Sequence, residues 1–363
     1  MAAPTEKMSF FQRIQSTTFQ ITSIMLASLY LAGLITIQYK RMTIPEKIPT
    51  LEQVDSTIRQ LATPVTVGMH INSFPEFSIN TGKFLMDAII WFNFEKSSES
   101  IETISKFSIK NSILLGSFIV YKSDPIIKIM ENNVLVSYHV LINFMAELNF
   151  KKFPLEDHRI NIILENKSVT AQELVFESSG ENISIAKYIL VDTWQPRTMH
   201  ANAGYVKTKI NTPEQETYIT YPSVVFSIDF ESVGARTPIA LYFPLFISFL
   251  IVLISLLLKI TSDTRLGLAA SGVPALVLFR LVIESSSPVA GYSTHIDATY
   301  YLITFLSLLI LFFQAYMTLI LHRHYDEKKE APAYIISKFE YASAYMFVIM
   351  LSALLIGFTL LFL

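Results

Sequence analysis

The chain has 363 residues, with 28 basic and 30 acidic side chains for a formal net charge of −2. Apolar residues make up 52% and charged residues only 16%, against about 25% charged in an ordinary soluble protein; this balance argues against a purely soluble or disordered chain and against a nucleic-acid binder, which needs a basic surface. There is no cysteine, which excludes disulfides, thiolate metal sites and cysteine nucleophiles, and neither G-x-G-x-x-G nor G-x-x-x-x-G-K-[ST] occurs among the 11 glycines.

In chain order, the first element is an apolar segment at 21–37, preceded by a stub carrying Lys7 and Arg13. Gln38, Tyr39, Lys40 and Arg41 follow it and make a poor cleavage site, so 1–41 reads as a cytoplasmic stub and an uncleaved anchor helix rather than a signal peptide. Residues 42–63 are a linker, with a short helix expected over 50–61. Strands follow. Val65, Val67, Met69 and Ile71 alternate with more polar residues, the period of a half-buried strand. The run at 84–94, FLMDAIIWFNF, is dense in aromatic and branched residues, and 134–144 alternates Val136, Tyr138, Val140 and Ile142 against Ser137, His139, Leu141 and Asn143. Further strands are expected at 160–164, 183–191 and 217–230, and a solvated loop at 95–106. Short strands at such spacing suggest a β-sandwich.

Four more apolar segments, at 239–258, 266–283, 300–321 and 342–363, approach the roughly 20 residues a membrane-spanning helix needs. Lys259 and Arg265 flank one connection, and Arg323, Lys328, Lys329 and Lys338 lie in another, while 284–299 has no basic residue. Basic residues in short loops mark the cytoplasmic side. The 42–236 region and the C-terminus are therefore expected outside, with a cytoplasmic N-terminus.

Local words sharpen this plan. Asp87 stands four residues before Trp91 and seven before Phe94, and 150–158 reads F-K-K-F-P-L-E-D-H. Arg236 precedes the first bundle helix, which carries Pro244, and Arg265, Pro288, Tyr292 and Asp297 are spaced by 23, 4 and 5. Over about 64–363 the chain resembles the pentameric ligand-gated ion channels. The resemblance implies a multi-domain membrane protein: a periplasmic or extracellular β-sandwich at 64–236, a four-helix transmembrane pore domain at 237–363, and an additional N-terminal transmembrane helix. It implies a homopentamer in a bacterial inner membrane, since the proline loop lacks flanking cysteines and the last connection is short. Glu156 and Phe94 stand where the family usually has Asp and often has Trp, and Pro274 falls where it usually has a mid-pore leucine.

Helical spacing from Gly267 gives the stripe Gly267, Ser271, Pro274, Leu278, Leu281 and Ser285, small and polar at its ends and apolar within. It fits a pore lining with a dewetting gate at Leu278 and Leu281; a buried helix with small residues for close packing is the bland reading. Pro274 is expected to bend the helix. Arg280 and Glu284 are one turn apart and can pair; Glu284 at the outer mouth and Asp263 at the inner mouth lean toward cations. By resemblance, Phe153, Pro154, Glu156, Asp157 and His158 would couple to Pro288, Tyr292 and Asp297, with Arg236 as a charge partner for Glu156 or Asp157. Ligand-contact candidates are Phe94, His139, Trp194, Tyr218 and Tyr221, the last two in a hairpin before the final strand and Trp194 with Tyr205 in a polar stretch between strands. An aromatic wall suits an amine, and His139 or His158 suits a proton; a divalent cation or no ligand stays open. No metal site, cofactor or enzyme motif is present in the sequence. The competing reading is a non-conducting membrane-anchored sensor or scaffold with the same fold.

Overall fold

The computed structural model describes residues 14–41, 44–53, 62–96, 101–110, 119–187, 189, 191, 193–211, 216–262, 264–328 and 333–362. The chain divides into two compact units. One holds Met42–Asn149 and Glu156–Gly234; the other holds Met1–Arg41, Phe150–Leu155 and Ala235–Leu363.

The first unit is built of two sheets. The seven-stranded sheet contains β1 (Thr63–Ser78), β2 (Lys83–Glu95), β4 (Ile119–Lys122), β5 (Ile126–Ile129), β6 (Asn133–Met145), β8 (Leu174–Glu177) and β9 (Ile183–Ile185). Its order is β4-β6-β2-β1-β8, with β5 also on β6 and β9 also on β1. The four-stranded sheet runs β10-β11-β7-β3, from β3 (Ser108–Ile109), β7 (His158–Glu165), β10 (Trp194–Asn211) and β11 (Glu216–Ser232). The period-two pattern accounts for the centre. Along β2, Phe84, Met86, Ala88, Ile90, Phe92 and Phe94 are buried, and along β6 Val134, Val136, Tyr138, Val140, Ile142 and Phe144 are buried, each large side chain worth about 2 kcal/mol relative to exposure. Phe230 of β11 meets Phe77 of β1 at 4.9 Å and Phe74 at 5.8 Å between ring centroids. Gly68 and Trp91 are ladder partners, and a Cβ at Gly68 would run into the indole; only glycine lets that ring lie flat across the neighbouring strand.

Three expectations change here. The 95–106 region is not all solvated loop, because α2 (Ile101–Ser105) lies in it and buries Ile104 completely. Of the strand expected at 183–191, the described residues form Ile183–Ile185, while 188 and 190 lie outside the described residues. Of the helix expected at 50–61, residues 54–61 lie outside the described residues, and Glu52 instead bridges Tyr205 as an isolated β-pair.

The second unit is helical. It contains α1 (Thr17–Lys40), α3 (Arg236–Ile254), α4 (Thr264–Ser286), α5 (His295–Lys328) and α6 (Ala333–Phe362). All five are long and apolar enough to cross a membrane, which fits a membrane protein. Ser16 caps α1 by accepting from the Phe19 amide at 3.3 Å. The α4 helix buries Arg265, Ala269, Gly272, Leu276 and Ile283, one face at helical spacing. Gly272 lies against Val252 and the Ser248 carbonyl of α3, where a side chain would collide; the close approach is the kind small residues permit between helices in lipid. Some of the polar groups buried among the helices pair with one another. Gln314 donates to Ser255 Oγ, and Tyr242 Oη is 2.6 Å from His295 Nδ1. The α1 helix is joined to α6 through Tyr30 Oη and Thr359 Oγ1, 2.9 Å apart.

Candidate functional site

The α4 helix has two unlike faces. With Arg265, Ala269, Gly272, Leu276 and Ile283 turned into the helical unit, the other face is uncovered, and Gly267, Ser271, Pro274, Leu278, Leu281 and Ser285 are all on it. Leu278 is 66% exposed and Leu281 64%. The stripe therefore does not pack against the described residues of its own chain. The two serine hydroxyls donate back along the helix, Ser271 to the Leu268 carbonyl at 2.8 Å and Ser285 to the Val282 carbonyl at 3.0 Å, which keeps their dipoles satisfied inside a span without a partner helix. The helix is unbroken across Pro274. Proline takes the place of one backbone donor, but the stretch on either side keeps its helical bonding. Asp263 lies outside the described residues.

The far end of α4 is organised around Arg280. Its guanidinium pairs with Asp297 of α5, donates from Nε to Glu284 Oε1 at 3.0 Å, and lies 5.6 Å from the ring centroids of both Tyr300 and Tyr301. Glu284 is thus a partner of Arg280, with its side chain still 57% exposed. Asp297 does two jobs. Its Oδ2 accepts from the Thr294 amide and hydroxyl, both at 2.8 Å, while Thr294 Oγ1 accepts from the Asp297 amide at 3.4 Å. That reciprocal pair is a capping box for α5, and it fixes the carboxylate that Arg280 reaches.

The Phe150–Leu155 segment belongs to the helical unit and docks beside the start of α5. The Phe150 amide donates to Tyr292 Oη at 2.7 Å, the His295 amide to the Lys151 carbonyl at 2.9 Å, and the Ile296 amide to the Phe153 carbonyl at 3.3 Å. Phe153 and Pro288 are buried, and the Phe153–Pro154 peptide is cis. Part of the expected coupling loop and the turn from Pro288 to Asp297 are therefore brought together by backbone hydrogen bonds. Arg236 is the first residue of α3 and is exposed.

Glu156, Asp157 and His158 belong to the sheet unit and are buried there. His158 Nδ1 lies 2.8 Å from Glu46 Oε1 and its Nε2 3.8 Å from Glu156 Oε1, with Trp194 tilted over the ring at 5.5 Å. Glu46 also accepts from the Asn149 and Arg159 amides at 2.9 and 3.1 Å. Asp157 accepts from the Ser232 amide at 3.1 Å. Asp157 and His158 thus have hydrogen-bond partners within their own unit. Glu46 was not singled out in the sequence, where it is one acid in a linker. Beside this cluster, Asp229 accepts from Arg159 Nε at 2.5 Å and Nη2 at 2.9 Å, and from Thr198 Oγ1 at 2.5 Å. Burial pushes the Asp229 carboxyl up, but the hydrogen bonds and charge of Arg159, with Thr198, outweigh it and hold the group below its ordinary value. A signal for this pair did exist: an acid inside the apolar run 217–230 needs a partner.

The ligand-contact candidates scatter within one chain. Phe94 is in the core, 3% exposed, so it packs the sheet and offers no face to an open site. His139 is on the outer face of β6, where its Nε2 and Asn72 Nδ2 converge on Asp87 Oδ1 at 2.8 and 2.7 Å. Trp194 begins β10, opposite Ser232, whereas Tyr218 and Tyr221 lie within β11 itself, opposite Lys209 and Val206. Trp194 and Tyr218 are at opposite ends of the β10–β11 ladder. Tyr218 carries Lys207 Nζ over its ring at 4.6 Å. No family model matches the chain, and no curated protein matches it.

Proposed function

We propose that the chain is one subunit of a pentameric ligand-gated ion channel, a β-sandwich domain joined to a four-helix pore domain, with α1 as an extra membrane anchor. The observation that carries this reading is the uncovered stripe of α4. A lipid-facing surface gains nothing from glycine and serine, but a helix repeated around an axis can turn such residues toward water. Leu278 and Leu281 would then form the apolar constriction, closing the path by dewetting. The Arg280, Glu284 and Asp297 group leaves one net negative charge per chain at one end of the stripe, which supports cation selectivity. The contacts of Phe150 and Lys151 with the turn before α5 support coupling between ligand binding and the pore, since a gated channel needs an element whose two arrangements both sites bias.

The lack of cysteine makes a direct test available. Ser271→Cys and Leu278→Cys should react with a charged, membrane-impermeant thiol reagent, and Phe312→Cys, on the exposed side of α5, should not. In planar bilayers the wild type should carry current that the reagent blocks in the Leu278→Cys variant. Labelling at Phe312 equal to that at Leu278 would overturn the pore assignment. Labelling of the stripe without current under any amine, proton or divalent-cation condition would favour a non-conducting sensor.

A further inference from the structure

Two cavities follow one another along the same helices of the helical unit. The first is polar, about 310 Å³, and lies where α1 begins and the α3–α4 connection passes α6; Thr17, Gln20, Lys259, Arg265, Glu340 and Ser343 are among its walls. The second is apolar, about 370 Å³, between α1, α3 and α6, with Ala27, Leu31, Phe249, Leu250, Leu351 and Leu354 among its walls. From Gln20 to the second cavity's Ile24 is about one turn of α1, and from Ala344 to Leu351 about two turns of α6, so the apolar groove continues deeper along the spans from the polar mouth.

Arg265 sets the chemistry of the mouth. It is 6% exposed, its Nη2 donates to Ser343 Oγ at 2.6 Å, and its Nε is buried with no hydrogen-bond partner. A buried guanidinium with an unused donor is a strong site for an oxyanion. Lys259 adds a second positive charge against one acid, Glu340, among the described residues lining the cavity. A free phosphate would answer the polar mouth but leave the apolar groove unexplained. We propose that the two cavities together hold one glycerophospholipid with an anionic headgroup, its phosphate on Arg265 and Lys259 and an acyl chain along the groove. The lipid then fixes α1 to α3 and α6 in addition to the Tyr30–Thr359 bond. This assignment requires the helices to be in a membrane but does not depend on conduction.

The test is lipid retention. Purified protein from nanodiscs of equal phosphatidylglycerol and phosphatidylcholine is extracted in mild detergent, and bound lipid is counted by native mass spectrometry. Wild type should retain one phosphatidylglycerol per chain, favoured about tenfold over phosphatidylcholine, because both lipids bring the same phosphate but the choline cation beside it is repelled by Arg265 and Lys259. Arg265→Gln and Lys259→Gln should each remove most of that preference, and Arg265→Lys should restore part of it. Ala27→Trp, which fills the groove, should lower retention of both lipids. Equal retention of the two lipids by wild type would overturn the proposal, as would unchanged preference in Lys259→Gln together with unchanged retention in Ala27→Trp; both of these hold even if Arg265→Gln does not fold. Displacement of the lipid by millimolar inorganic phosphate would also overturn it, since the mouth would then be a phosphate site alone.

Discussion

Asp229 is a carboxylate buried within an apolar strand, and three donors make that placement tolerable. Arg159 grips it with two nitrogens and Thr198 adds a hydroxyl. Removing one member leaves the other charge buried without its partner, which costs about 3 kcal/mol or more. Asp229→Asn should therefore lower the unfolding free energy of the sheet unit by about that amount in a denaturant titration. The pH dependence has a definite sign. The folded-state pKa of Asp229 lies below its ordinary 3.8, so its contribution is complete above about pH 4 and is lost as the pH falls through the folded value. Wild type should lose stability on acidification in that window, and Asp229→Asn should lose less; equal slopes would show that Asp229 is not the group responsible. Arg280 poses a second residue-scale question, because it serves Asp297 and Glu284 together. If Glu284 supplies the net negative charge at the pore end, Glu284→Gln should move the reversal potential in a salt gradient toward zero and lower cation conductance severalfold. An unmoved reversal potential would remove Glu284 from selectivity while leaving its pairing with Arg280 intact.

At the level of elements, the Phe150–Leu155 segment and the turn before α5 act as one joint. The Phe150 amide donates to the Tyr292 hydroxyl, and two α5 amides donate to carbonyls of the segment. Tyr292→Phe deletes one of these bonds, worth about 1 kcal/mol, and hydrogen exchange at Phe150 should quicken about fivefold while the helices stay protected. No change there would mean that the side chain does not hold the segment. This joint was half legible in the sequence. The F-P-L-E-D-H word and the Pro288–Tyr292–Asp297 spacing pointed to both parts, but nothing local indicated that 150–155 belongs with the helices and Glu156 onward with the sheets, because that division rests on hydrogen bonds to distant residues. Strands buried on one face were readable from their period: β2 and β6 alternate as expected. The β10 strand was not. It is an edge strand, joined to β11 over its whole length by backbone bonds, and its side chains carry polar residues such as Lys207 and Lys209 that suit an edge and hide the period. The short α2 helix was missed for a similar reason, since a single buried isoleucine, Ile104, gives no periodicity. Linker residue Glu46 became a buried anchor only through His158, Asn149 and Arg159, partners over a hundred positions away.

For the whole molecule, the open question is what covers the uncovered face of α4. One chain buries Arg265, Ala269, Gly272, Leu276 and Ile283 and stops there. A single chain cannot enclose a water path with the remaining face, because a path needs walls on every side. Identical chains can, if each presents the same stripe to a common axis, and a closed ring is the arrangement that leaves no stripe over. The stripe then becomes an inner wall, and the flanks of each helical unit become contacts between neighbours. Such contacts join copies head to tail, so the ring closes at a defined number or continues as a filament. Native mass spectrometry of the detergent-extracted protein should find one species near five times the 41.2 kDa chain mass, and that species should persist in Leu278→Cys, whose substitution faces the axis and not a neighbour. A chain that travels alone at 41.2 kDa would leave Ser271 and Gly267 facing lipid, where they have no evident purpose. A dimer would pair two stripes face to face and bury them dry, and Leu278→Cys would then form a disulfide across the pair and resist the charged reagent. Mass and labelling together therefore separate a ring from both alternatives, since only a ring keeps Leu278 wet at a fixed multiple of the chain.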